Sequence, residues 1–151
     1  MSKLFIRGIQ MQKNIEEVEK VLENHIGEII DKYDIGLIYI FGSYATNKND
    51  KNSDLDIAVY LNGEFDSLIK LEIFDELVRI FRREDIDLVI LNKADTVLQF
   101  QVIKYGKVVY MKDLFTKVSY EYKTMGFYMD MEHFRNVGNE IRERKFLELF
   151  K

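Results

Sequence analysis

The sequence predicts an α/β or α+β domain with a helical tail. Three observations carry this. Apolar residues change their spacing from the helical period to the strand period and back along about the first 110 residues. The resulting order is helix, strand, strand, helix, strand, helix, strand, long helix. No internal repeat, linker or low-complexity segment interrupts the 151 residues, a length that suits one domain with its own core better than two. We therefore expect a single domain over 1–151, with the helical tail occupying about 113–151.

The elements follow in order. Ile15, Val18, Val21, Leu22, His25, Ile26, Ile29 and Ile30 recur at helical spacing behind Asn14, an N-cap residue followed by Glu16 and Glu17. The pattern predicts one helix over about 15–33, with His25 partly buried on its apolar face. Gly36 to Phe41 is a continuous apolar run and reads as a buried strand. The Asn, Lys, Asp and Ser residues between Thr46 and Ser53 are turn formers. From Asp54 to Leu61 the residues alternate, with Leu55, Ile57, Val59 and Leu61 on one face and Asp54, Asp56, Ala58 and Tyr60 on the other. Asn62-Gly63 ends that strand. An amphipathic helix is expected over about 67–83, a strand over 85–91, a helix over about 94–105 and a strand over 107–110. The tail shows helical periodicity from Asp113 to about Arg144, with a weak break expected near Gly126.

Composition narrows the function classes. Apolar residues make up 47% and charged residues 32% of the chain, the balance of a globular protein. No apolar run approaches the roughly 18–20 residues of a membrane span, and no signal peptide is recognisable at the N-terminus. The absence of cysteine removes disulfides and thiolate metal sites and fits a cytoplasmic protein. Acidic residues exceed basic ones by five through residue 113, and basic exceed acidic by one thereafter. Neither part has the basic face that a DNA-binding protein needs, so a small nucleotide or a protein partner suits the chain better.

The segment FGSYATNKNDKNSDLDIAVYL, residues 41–61, concentrates the chemistry. Asp54 and Asp56 leave the same face of a strand with Cα atoms roughly 7 Å apart. Two carboxylates so aligned repel unless a cation lies between them. Magnesium fits, because it takes oxygen ligands and is held by one or two carboxylates with phosphate oxygens completing its shell. Asp87, on an otherwise apolar later strand, can complete a site for two cations if the strands are neighbours. Asp85 lies on the same face and is an alternative third acid. Gly42 and Ser43 stand where a strand turns toward a helix. There a glycine lets backbone N–H groups approach phosphate oxygens, and a hydroxyl adds a donor. Triphosphate with magnesium fits between these groups.

Gly-Ser, a spacer, then Ser-Asp-x-Asp on a strand resembles the signature of the DNA polymerase β-like nucleotidyltransferases. The tail YEYKTMGFYMDMEHFRNVGNEIRER, residues 120–144, is similar to that of the minimal nucleotidyltransferases that act as antitoxins to HEPN-domain toxins. The motif covers about residues 36–91, and the tail extends the resemblance nearly to the end. The resemblance implies a polymerase β-like fold, a mixed sheet flanked by helices. It also implies that Asp54 and Asp56 bind two magnesium ions, and that Asp87 helps bind one and serves as base. Gly42 and Ser43 would hold the β- and γ-phosphates of ATP. The implied reaction moves AMP from ATP to a tyrosine of the partner toxin, an RNase, and silences it. The family pattern favours Asp87 over Asp85. Two positions depart from it: Tyr44 stands where a basic residue is frequent, with Lys48 and Lys51 as possible replacements, and Asn47 stands where glycine is frequent.

Other readings compete. A pair of aspartates on a strand is usually a solvated face, but Gly-Ser upstream and Asp87 downstream make that reading poor here. The chain could instead neutralise a toxin by docking alone, or nucleotidylate a small molecule such as an aminoglycoside. HEPN RNases carry an arginine with a histidine a few residues on, and no arginine of this chain has a histidine four to six residues beyond it. His25 and His133 are far apart, so zinc is not expected. The aromatic residues Phe115, Tyr120, Tyr122, Phe127, Tyr128 and Phe134 fit either core packing or a protein interface.

Overall fold

The computed structural model describes residues 11–149. Helix α1 (Ile15–His25) starts as expected at Asn14, whose Oδ1 accepts the Glu17 N–H at 3.0 Å. The long helix expected through residue 33 is in fact two. α1 gives way at Ile26 to α2 (Gly27–Tyr33), because Ile29 and Ile30 N–H both donate back to the Ile26 carbonyl, at 3.0 and 3.1 Å. Gly27, a poor helix former with open space where a Cβ would sit, marks the joint. This corrects the expectation for His25 as well: half-buried Ile26 takes the inner position and His25 is exposed.

Strand β1 (Ile35–Phe41) leads through a single 3-10 turn, Gly42–Tyr44, and a polar loop into β2 (Leu55–Leu61). Helix α3 (Ile69–Phe81), strand β3 (Ile86–Ile90), helix α4 (Thr96–Tyr105), strand β4 (Lys107–Met111) and helix α5 (Leu114–Glu148) complete the order. α4 and α5 begin at side-chain caps, Asp95 accepting from Leu98 N–H and Asp113 from Thr116 N–H. α5 is continuous over 35 residues. The break expected near Gly126 does not occur, since one glycine costs about 1 kcal/mol and residues on both sides propagate the helix.

The four strands form one mixed sheet in the order β3-β2-β1-β4. β1 is antiparallel to β2 and β4, while β2 and β3 run parallel. A parallel pair needs a crossover, and α3 supplies it. Both sheet faces are covered. Ile38, Ile40, Leu55, Ile57, Val59, Leu88 and Ile90 pack with α1, α2 and α3 on one side. Leu37, Tyr39 and Ala58 pack with Val102 of α4 and Tyr120 of α5 on the other. The alternation expected in β2 holds, with Leu55, Ile57, Val59 and Leu61 all in the first layer. Among the described residues no helix is long and apolar enough to cross a membrane.

Candidate active site

The end of β1 and the starts of β2 and β3 coincide at one edge of the second layer. Asp56 faces Phe41 on one neighbouring strand and Asp87 on the other. Its pKa is pushed up to about 6 by burial first, then by the charges of Asp87 and Asp54. Asp54 lies one residue before β2 and is exposed, as is Asp87. Three carboxylates thus share one small region, and only the middle one is half-buried.

The Gly42–Tyr44 turn abuts this region. Gly42 has φ +69°, and a Cβ on it would run into Asp56 Oδ2. Glycine is therefore required twice over, by its backbone conformation and by the approach of the turn to the carboxylate. The Ser43 hydroxyl is half-exposed and makes no hydrogen bond to the described residues. The turn is held from behind, where Thr46 Oγ1 donates to the Gly42 and Ser43 carbonyls and Lys48 N–H to the Ser43 carbonyl at 3.0 Å. Asn47 has φ +57°, so it adopts the left-handed conformation that a glycine would otherwise supply. The five residues singled out from the sequence, Gly42, Ser43, Asp54, Asp56 and Asp87, therefore lie together.

The two alternatives for the third acid part company. Asp85 accepts from Arg83 Nε and Nη2 at 2.6 Å each, and its backbone carbonyl accepts the Leu55 N–H at 2.9 Å. Tyr44 does not occupy a phosphate-facing position. It is 2% exposed, donates its hydroxyl to the Gln12 carbonyl and accepts from Arg83 Nη1, both at 2.9 Å. Lys48 and Lys51 are exposed. Arg83 was not legible as part of this region, because the helix was expected to include it. α3 instead stops at Phe81, Arg82 takes a left-handed cap conformation, and Arg83 turns inward.

The donor set fits magnesium. Among the described residues no three carboxylates or imidazoles form a finished cage for an ion. Magnesium takes oxygen donors of the kind these aspartates offer, one or two carboxylates with phosphate oxygens completing its shell. Burial raises the Asp56 pKa first, and the neighbouring charges of Asp87 and Asp54 add to it.

The sequence profile described as "Polymerase beta, Nucleotidyltransferase" matches residues 24–114, the span that contains all three acids and the turn. The chain belongs to this family. Among its relatives, protein adenylyltransferase MntA of Shewanella oneidensis is 36% identical over 96 residues, 64% of each chain. The chain thus spans just under two thirds of that relative's length. Solved structures agree on the fold. A chain from a toxin–antitoxin crystal structure with AMP-PNP is 31% identical, with a TM-score of 0.64, over 78% of this chain and 95% of that one. A chain from the complex of a tri-AMPylated Shewanella oneidensis HEPN toxin with its MNT antitoxin is 28% identical, with a TM-score of 0.62, over 81% and 96%. The mixed sheet, flanking helices and long last helix are thus the polymerase β-like fold that the motif implied.

The aromatic residues of α5 divide between the two readings given to them. Tyr120 is buried against Tyr60, with ring centroids 4.5 Å apart, and Tyr128 stacks on Phe100 at 3.9 Å. Phe115, Tyr122, Phe127 and Phe134 are exposed. From Met129 to Leu149 every residue but Gly138 is exposed.

Proposed function

We propose that the chain, acting in the cytoplasm as one domain over 1–151, is a protein adenylyltransferase. It moves AMP from ATP to a tyrosine hydroxyl of a HEPN-domain toxin and so neutralises the toxin. The observation that carries this reading is the convergence of Gly42 with Asp56 and Asp87 across three adjacent strand ends. The relatives' adenylyltransferase activity and toxin complexes point to the same reaction.

In this reading Gly42 and Ser43 hold the β- and γ-phosphates of ATP, through backbone N–H groups and the free hydroxyl. Asp54 and Asp56 would hold magnesium, and Asp87 would complete the site. Two bound ions would neutralise charge on the phosphates and on the reacting oxygens. Asp87 takes the proton of the incoming tyrosine hydroxyl. The tyrosine oxygen bonds to the α-phosphorus, the α–β phosphate bridge breaks, and pyrophosphate leaves. The turn and the carboxylates contribute chiefly by positioning and by charge. The large exposed apolar side chains of α5 support a protein acceptor over a small molecule, since such patches are otherwise rare on soluble surfaces.

The test is the intact mass of the toxin partner after incubation with the chain, ATP and magnesium. Mass gained in steps of AMP, and none with Asp54→Ala/Asp56→Ala, is the expected result. Inhibition of the RNase without any mass gain would instead establish neutralisation by docking alone.

A further inference from the structure

Arg83 is 1% exposed and is the one fully buried charged side chain among the described residues. Each of its bonds goes to a segment that carries part of the site and none goes to a site residue. Nε and Nη2 donate to the two Asp85 carboxylate oxygens, two residues before Asp87. Nη2 also donates to the Ser53 carbonyl at 2.9 Å, directly before Asp54. Nη1 donates to the Tyr44 hydroxyl, directly after Ser43. The guanidinium carbon lies 5.5 Å from the centre of the Tyr44 ring, and the Tyr44 hydroxyl carries the connection on to Gln12.

Resting on the adenylyltransferase reading above, we infer that Arg83 is a positioning residue for the transfer. One guanidinium sets the spacing between the phosphate turn, the first two acids and the third acid. A rigid planar fork with five donors can hold three segments at once, whereas a lysine at this depth has a single flexible head. Stability alone is a poor reason for the arrangement, because buried ion pairs are often replaceable by apolar residues at no loss. Tyr44 has its place here: it faces the brace behind the turn.

The experiment uses the full chain with its toxin partner, ATP and magnesium, at temperatures well below melting. Three variants are compared with the unaltered chain. Arg83→Lys keeps the charge and loses the fork. Tyr44→Phe keeps the packing and loses one hydroxyl. Leu22→Ala destabilises α1, on the sheet face away from the acids, and controls for stability. Displacing reacting groups by about 1 Å is worth about a hundredfold in rate, so Arg83→Lys is expected to lower kcat by about that factor. Tyr44→Phe, missing one hydrogen bond of the brace, is expected to lower it about threefold to tenfold. AMP-PNP affinity and the KM for ATP should move much less than kcat, and Leu22→Ala should melt lower yet keep its kcat. If both brace variants behave like Leu22→Ala in an active system, the positioning role is overturned while the adenylyltransferase reading stands. If the unaltered chain transfers no AMP to the toxin, that reading falls and takes the role of Arg83 with it.

Discussion

The acid-bearing end of the sheet and the far half of α5 treat polarity in opposite ways. At the sheet end, charge is drawn inward: Arg83 is buried with its donors assigned, and Asp56 is half-buried against two other carboxylates. Along α5, large apolar side chains stand in water, with Phe134 74% exposed and Met129 59%. The first arrangement costs stability; the second leaves apolar surface uncovered. The adenylyltransferase function proposed above needs one region of each kind, and here they are separate enough to be damaged separately.

The largest expected effect breaks the first region alone. Asp56→Asn should lower AMP transfer by on the order of a thousandfold while raising the melting temperature. The folded pKa of Asp56, about 6, lies above its ordinary value of 3.8. Between those values the folded chain keeps a proton that the unfolded chain has released, so this group makes stability fall as pH rises through that window. Above it the ionised carboxylate is a standing cost that the asparagine lacks. Melting curves of the two proteins should therefore be farthest apart at pH 7–8 and converge as the pH falls to about 3.8 and below. Partial exposure of the carboxylate keeps that gap smaller than the pKa alone implies.

The complementary break falls on the helix. Phe134→Asp with Ile141→Asp should weaken capture of the toxin by about tenfold to a hundredfold, the range of interface anchors. The free chain should melt within about 0.5 kcal/mol of the unaltered one, because exposed positions carry little folding energy. Titration calorimetry with the toxin, beside a melting curve, reads both. Unchanged toxin affinity would show that the partner docks elsewhere. A smaller effect sharpens the contrast from within the turn: Gly42→Ala should cost about 1–2 kcal/mol through its left-handed backbone and reduce AMP-PNP binding, since the new methyl group meets Asp56.

How much of this was legible follows from what each signal depends on. β1 and β2 could be read because burial on known faces leaves a periodic trace, and the acids because aspartates are out of place in that trace. Asp87 could be preferred over Asp85 only through the family pattern; in three dimensions Arg83 claims Asp85. Arg83 itself left no trace. Its burial depends on Arg82 adopting φ +55°, and an arginine near a helix end ordinarily points to solvent. The joint at Ile26 was hidden because apolar spacing runs across it unbroken. For α5 the sequence showed a helix, but periodicity reports which residues are apolar and not whether anything covers them.

The parallel pairing of β2 with β3 also governs when the site exists. Residues 56 and 87 become neighbours only after the crossover through α3 has closed, and contacts distant in sequence are gained late because loop closure must come first. A chain emerging from synthesis has its turn and first two acids early and locally. The third acid joins them only with the finished sheet, so an incomplete or misfolded copy lacks the full set of carboxylates. The convergence of the three carboxylates is thereby tied to the completion of folding.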